Sequence, residues 1–167
     1  MKEPIKTAVL GVGAFGALHA RTLRALPEAQ LMALGDRVLP KAEQLARELG
    51  VPHVFTTVKE LIERNLADAL VIATHTETHV PIAKAALAAG LHVLIEKPVA
   101  GNLADVQSLA ELCRTADRVA MAGHICLFHS LVAPLIGRVQ QQGFRSAHFV
   151  RHRPARTDAQ KLEPGIR

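Results

Sequence analysis

Three glycines, an isolated carboxylate and a Glu-Lys pair are the residues whose types and spacing in this chain could do chemistry. Gly11, Gly13 and Gly16 spell G-x-G-x-x-G. In that pattern the first glycine can take a tight turn, the second has no side chain to hold off an approaching pyrophosphate, and the third lets a following helix lie close on the preceding strand. The amides of Ala14 and Phe15, at the positive end of such a helix, would face the phosphates. Asp36 lies 20 residues beyond Gly16, where a carboxylate can accept hydrogen bonds from an adenosine ribose. The same carboxylate would repel a 2′-phosphate by about 4 kcal/mol at ~4 Å and an effective dielectric of ~20, which favours NAD over NADP. Arg37 keeps NADP open, because a guanidinium can turn toward that phosphate; its other reading is a solvated loop residue.

Two further segments carry polar groups of the right kind. Thr74, His75, Thr76, Glu77, Thr78 and His79 follow an apolar run and read as a wall of the cofactor site. The competing reading makes Thr78 the cap of the next helix and His79 an ordinary strand-end polar residue. Glu96-Lys97-Pro98 also follows an apolar run. A lysine that loses part of its hydration beside a carboxylate and a nicotinamide can exchange protons with a hydroxyl, so Lys97 is the candidate acid/base group. A surface ion pair between adjacent residues is the bland alternative.

These residues need a scaffold that brings strand ends together, and the chain reads as one. Thr7 to Leu10 is a buried strand, followed by an apolar stripe at helical spacing, Phe15, Leu18, Thr22 and Leu26. Gln30–Gly35 is a second strand, and Pro40 opens a helix with Ala42, Leu45, Ala46 and Leu49 inward, stopped at Gly50. Val51–Phe55 is a strand, with a short helix through Val58, Leu61 and Ile62 behind it. Ala69–Ala73 is a continuous apolar run of the kind a parallel strand buried on both faces shows. A helix then carries Pro81, Ile82, Ala86 and Leu87 near its start and middle and ends at Gly90, and Leu91–Ile95 is the fifth strand. Asn102 caps the next helix, with Val106, Leu109, Ala110 and Cys113 as its buried stripe; Arg118–Gly123 is the sixth strand. A last helix covers Leu131–Val139, with Val132, Leu135, Ile136 and Val139 inward. It stops at Gly143, and Phe144–Val150 has the pattern of a strand. Alternation of strand and helix predicts an α/β fold with a doubly wound parallel sheet and helices on both faces.

Composition narrows the class. The chain has 167 residues, 49% of them apolar, enough for one well-cored domain but not for two full ones. No apolar stretch approaches the roughly 20 residues of a membrane span. The first strand follows Met-Lys-Glu-Pro closely, without a secretory leader, so a cytoplasmic protein is expected. The net charge of +5 is concentrated at the end: residues 1–150 hold 15 Lys/Arg against 13 Asp/Glu, and residues 151–167 hold 5 against 2. Without a basic face or interleaved aromatics, this argues for a solvated end rather than nucleic-acid binding. Cys113 and Cys126 give no disulfide framework and read as buried small hydrophobes. His124, Cys126 and His129 lack a fourth ligand, so no metal site is expected.

The strand with Gly11-x-Gly13-x-x-Gly16, Asp36-Arg37, the Ala73-Thr74 loop with His79, and above all Ala89-Gly90-x-His92-Val93-Leu94-x-Glu96-Lys97-Pro98 resemble the Gfo/Idh/MocA oxidoreductases. The resemblance implies a Rossmann-type domain and nicotinamide-dependent hydride transfer at a hydroxyl-bearing carbon of a sugar or polyol. It implies that Gly11, Gly13 and Gly16 hold the pyrophosphate, Asp36 the ribose, that Thr74 and His79 line the cleft, and that Glu96 and Lys97 stand by the nicotinamide. It further suggests a cis bond before Pro98. In the segment Gly123 to His129 the family normally has an arginine before the phenylalanine, where this chain has Leu127. On this reading residues 1–123 are the dinucleotide-binding domain, 124–150 a connecting helix and the first strand of a shortened substrate domain, and 151–167 a basic tail.

Two functions follow. One is a hydride-transferring oxidoreductase, or its cofactor half, with Lys97 as acid/base. The other is an inactive NAD(H)-binding module that self-associates or serves a partner chain. Methyl transfer from S-adenosylmethionine fits less well, since Val9 and Leu10 stand where such enzymes commonly carry an acidic residue. An uncovered strand edge at 144–150 predicts a homodimer or larger assembly.

Overall fold

The alternation of side chains along β1 (Ile5–Leu10) explains the layering. Thr7 to Leu10 are all buried, with Ala8 and Leu10 in one core and Val9 in the other. The same split recurs in β4 (Ala69–Ile72), where Leu70 and Ile72 join Ala8 and Val71 joins Val9. A sheet apolar on both faces must be covered on both, and it is. The computed structural model describes residues 3–130 and 132–142. It divides into two compact units, Met1–His124 and Ile125–Arg167.

In the first unit, β1, β2 (Ala29–Gly35), β3 (His53–Phe55), β4, β5 (His92–Ile95) and β6 (Ala120–Ala122) form one parallel sheet in the order β3-β2-β1-β4-β5-β6. One face is covered by α1 (Ala14–Ala25) and α2 (Leu39–Leu49), through Ala20, Leu45 and Ala46. The other is covered by α3 (Val58–Glu63), α4 (Thr76–Ala88) and α5 (Leu103–Thr115), through Leu61, Val80, Ala83, Ala86, Leu87 and Leu109. Registry aligns the strand ends. Leu10 pairs with Gly35 and Ile72, Gly35 with Phe55, Ile72 with Ile95, and Ile95 with Ala122. The residues that follow, Gly11, Asp36, Ala73, Glu96 and Gly123, therefore share one edge. The order reverses direction at β1 and β4, where open α/β sheets present their binding crevice.

Several expectations are corrected. The expected apolar stripe does not face the sheet: Phe15, Leu18 and Leu26 are 52%, 60% and 44% exposed, while Gly16 and Ala20 are buried and Leu23, on their face, is half-buried against the core. At its start the helix lies too close to the glycine turn for a side chain, since a Cβ on Gly16 would stand 1.7 Å from the Gly11 carbonyl oxygen. In α5, of the expected stripe only Leu109 is buried; Cys113 is half-buried, and Val106 and Ala110 are exposed. Together with Ile95, Val99 and Met121 the four line a groove of about 280 Å³. Thr78 does not cap α4, whose N-cap is His75, and Pro81 lies inside the helix. Asn102 does cap α5, its Oδ1 accepting from the Asp105 amide at 2.9 Å. Gly50 closes α2 in the left-handed conformation. Cys126 is exposed rather than buried.

The second unit holds, among its described residues, a single 3₁₀ turn (Ile125–Phe128) that no motif announced and α6 (Val132–Gln142). Val132, Leu135 and Ile136 of α6 are half-buried, but Val139 is 40% exposed. The expected strand 144–150 and the tail 151–167 lie outside the described residues.

A capping box starts α3. Thr57 Oγ1 accepts from the Glu60 amide at 3.2 Å, and Glu60 Oε2 accepts from the Thr56 amide at 2.9 Å. That backbone bond, with the Arg64 guanidinium beside it, holds the Glu60 carboxyl below its usual value of 4.5. A carboxyl lowered in the folded state stabilises above the unfolded value and loses that contribution as pH falls through the lower folded one. A lower protection factor for the Thr56 amide is therefore expected once pH falls below that lowered folded value, and at neutral pH in Glu60→Ala. NMR exchange rates check both.

Candidate functional site

The turn after β1 is fixed by two close approaches. Gly11 has φ +91°, and a Cβ there would lie 2.5 Å from the Ala73 carbonyl oxygen. Gly16 is pinned to Gly11 as described above. Gly13 differs: a Cβ on it would have nothing within 4 Å. Gly13, Ala14 and Phe15 form an exposed lip, and Gly13 caps α1 without any side-chain hydrogen bond to the first helical amides. Open space over the free amides of a 12-residue helix suits a pyrophosphate. The residues present thus fit a dinucleotide at this turn.

Asp36 is locked into the same turn. Its Oδ2 accepts from the Val12 amide at 3.0 Å and its Oδ1 from the Val38 amide at 2.9 Å. Each oxygen keeps a further lone pair, so the oriented carboxylate can still accept from a hydroxyl. Arg37 beside it is exposed. Lys41 lines a groove of about 370 Å³ that opens at Val12, Gly13 and Ala14 between α1 and α2.

The β4 and β5 loops are tied together by His79, which is 1% exposed. Its Nδ1 lies 3.0 Å from the Pro98 carbonyl and its Nε2 3.1 Å from the Thr74 carbonyl. Both partners only accept, so a neutral ring donates to one of them and an imidazolium to both. In either form the buried ring sits against the backbone of both loops. Thr74 is half-buried, with Oγ1 2.7 Å from Thr78 Oγ1, and His75 is exposed. The Lys97-Pro98 bond is cis.

Glu96 is 7% exposed and its carboxylate has two partners. Oε1 is 2.8 Å from His19 Nε2, and Oε2 accepts from the Lys97 amide at 3.1 Å. Gly123 backs it, since a Cβ there would stand 3.2 Å from Oε1. The Lys97 ammonium turns elsewhere, 4.8 Å from the centroid of the Phe15 ring. Among the described residues it makes no ion pair. An exposed cation over a ring is worth about 0.5–1 kcal/mol, enough to orient a flexible chain.

Gly11, Gly13, Ala14, Phe15, Gly16 and Asp36 therefore converge at the ends of β1 and β2, with Arg37 just beyond. Thr74, His75 and His79 stand after β4, and Glu96 and Lys97 after β5. Sequence reasoning missed His19 and Gly123. The signal for His19 was its place one turn into the helix, three residues after Gly16. Among the described residues no cluster of His, Cys, Asp or Glu is placed to hold a metal ion. None of the described helices is long and apolar enough to cross a membrane.

Comparison with known proteins gives the same picture. Residues 5–124 match the family described as "Oxidoreductase family, NAD-binding Rossmann fold". The myo-inositol 2-dehydrogenase of Thermotoga maritima is 33% identical over 71% of this chain and 36% of its own length. The scyllo-inositol 2-dehydrogenase (NAD(+)) of Bacillus subtilis is 29% identical over 91% of this chain and 49% of its own. The crystal structure of scyllo-inositol dehydrogenase from Lactobacillus casei, with bound NAD(H) and scyllo-inositol, superposes with a TM-score of 0.78. That match has 25% identity and covers 83% of this chain and 42% of that one. The chain spans half or less of the length of these relatives.

Proposed function

The chain belongs to the Gfo/Idh/MocA oxidoreductase family, and from that premise we propose that it binds NAD(H) as the cofactor half of a dehydrogenase acting on a sugar, polyol or related small molecule. The observation that carries the reading is the joint geometry of Gly13 and Asp36. Open space over free helix amides lies beside a carboxylate already oriented by the amides of Val12 and Val38. When bound, a nicotinamide takes up or gives back a hydride. The chain's own residues do the rest. Gly13, Ala14 and Phe15 seat the pyrophosphate; Asp36 accepts from the adenosine ribose. Thr74 and His75 wall the cleft, with His79 holding both loops, and Lys97 Nζ takes or returns the proton of a substrate hydroxyl. Glu96 contributes through the Lys97 amide it holds.

Assembly into a homodimer or larger oligomer belongs to the same reading. Among the described residues β6 ends the sheet, with Val119 and Met121 exposed.

Titration of intrinsic NADH and NADPH fluorescence tests the proposal. NADH is expected to bind at least about tenfold more tightly than NADPH, because the Asp36 carboxylate repels a 2′-phosphate. Asp36→Ala is expected to cost NADH about ten- to a hundredfold, the loss of hydrogen bonds to a charged group, and to erase the preference. Failure of both nucleotides to bind sinks the reading. Tighter binding of NADPH would mean that Arg37 outweighs Asp36.

A further inference from the structure

The His19–Glu96 contact joins the second turn of α1 to the end of β5, and nothing in the cofactor reading uses it. A buried carboxylate left without other partners would draw in a nearby ammonium, and Lys97 supplies the adjacent one. Here both oxygens are engaged, one by the imidazole and the other by the Lys97 backbone amide. The ammonium rests instead on the Phe15 ring, and Phe15 and His19 lie one turn apart on the same helix. We propose that His19 is a positioning residue which, by holding Glu96 Oε1, keeps the buried carboxylate away from the Lys97 ammonium and leaves that amine, steered by Phe15, available to a ligand hydroxyl.

The physical reason is competition for one anion. An ammonium paired directly with a carboxylate holds its proton more tightly than one that only lies near it, whereas one on an aromatic face is oriented without being neutralised. His19 donates from Nε2 and so satisfies Oε1 without changing the charge at Lys97. The inference rests on the role given above to Lys97, but its test does not need the cofactor.

Competitive acetylation with acetic anhydride, read by peptide mass spectrometry, measures the reactivity of Lys97 against Lys6, an exposed lysine near the start of β1. His19→Ala is expected to lower the Lys97:Lys6 ratio about three- to tenfold, as the released carboxylate pairs with the ammonium. His19→Gln, which can donate to the same oxygen, should stay within about twofold of the wild type. His19→Ala combined with Glu96→Gln should return to the wild-type ratio, which a general loosening of the helix would not do. His19→Asn, too short to reach Oε1, should behave as His19→Ala and serves if alanine fails to fold. An unchanged ratio in His19→Ala and His19→Asn, or a drop that survives Glu96→Gln, overturns the proposal. NADH titration of the wild type runs alongside. Absent binding would remove the cofactor reading and leave the reactivity pattern to stand or fall separately.

Discussion

Gly13→Asp is expected to make the protein slightly more stable and to remove its affinity for NADH. Gly13 has φ −65° and ψ −167°, extended backbone open to any residue, and a side chain there meets nothing within 4 Å. It occupies the N-cap of α1, which has no side-chain cap and no acidic residue in its first turn. An aspartate there accepts from the free amides and complements the helix dipole, a gain of about 0.5–1 kcal/mol. For a chain of this size that raises Tm by roughly 2 °C. The same carboxylate occupies the amides that a pyrophosphate would use and repels it by about 4 kcal/mol at ~4 Å and an effective dielectric of ~20. Screening reduces this, and a loss of affinity of about a hundredfold or more is expected. Thermal melting and NADH fluorescence titration together separate the two effects. Undiminished NADH binding with a normal Tm would place the pyrophosphate elsewhere.

Much of the fold was legible because backbone constraints are written in residue types. Gly50, Gly90 and Asn102 stop or start helices through their own conformation or side chain, and the apolar run Ala69–Ala73 has the pattern of a strand buried on both faces, which β4 (Ala69–Ile72) is. What misled was size. Phe15, Leu18 and Leu26 have the spacing of a core stripe, yet the first turns of the helix touch the sheet through Gly16 and Ala20, and a large side chain enters that face only further along, at Leu23. Periodicity marks which residues share a face of a helix; the closeness of the packing decides which face is buried. The cap of α4 was misplaced for a related reason. Thr78 is a good capping residue, but the helix starts earlier, and its hydroxyl bridges to Thr74 and the His75 carbonyl instead.

The site divides the same way. The glycine turn, Asp36 and the Glu96-Lys97-Pro98 segment follow strand ends, and strand ends in a parallel sheet share an edge, so sequence order was enough to bring them together. The His19–Glu96 contact spans 77 residues and depends on how deeply α1 sits against the sheet. No local pattern encodes that depth. The placement of Lys97 over Phe15 is equally non-local, and it turns an apparently misplaced apolar residue into part of the site. His79, weighed as a wall of the cleft or a bland strand-end residue, is buried with its two ring nitrogens against carbonyls on two loops. Its type was noticed, but its partners are backbone atoms, which sequence cannot distinguish.

The depth of α1 also sets the largest stability effect. Gly16→Ala is expected to destabilise the protein by about 3 kcal/mol or more, the upper end for overpacking, and to lower Tm by roughly 10 °C. A methyl 1.7 Å from the Gly11 carbonyl oxygen cannot be accommodated by a rotamer change, because the obstacle is backbone. The helix must lift from β1, which loosens the core that Ala20 shares with Leu31 and Leu34 and carries Phe15 and His19 away from the β5 end. Relief through the Gly11 carbonyl would have to reshape a turn whose amide is held by the Gly35 carbonyl at 2.7 Å. NADH affinity should therefore fall together with stability in Gly16→Ala, in contrast to Gly13→Asp, where the two move in opposite directions. Calorimetry and titration on the same samples test the contrast. A Gly16→Ala variant melting within about 2 °C of the wild type would mean that α1 does not rest on the glycine turn as closely as its geometry requires.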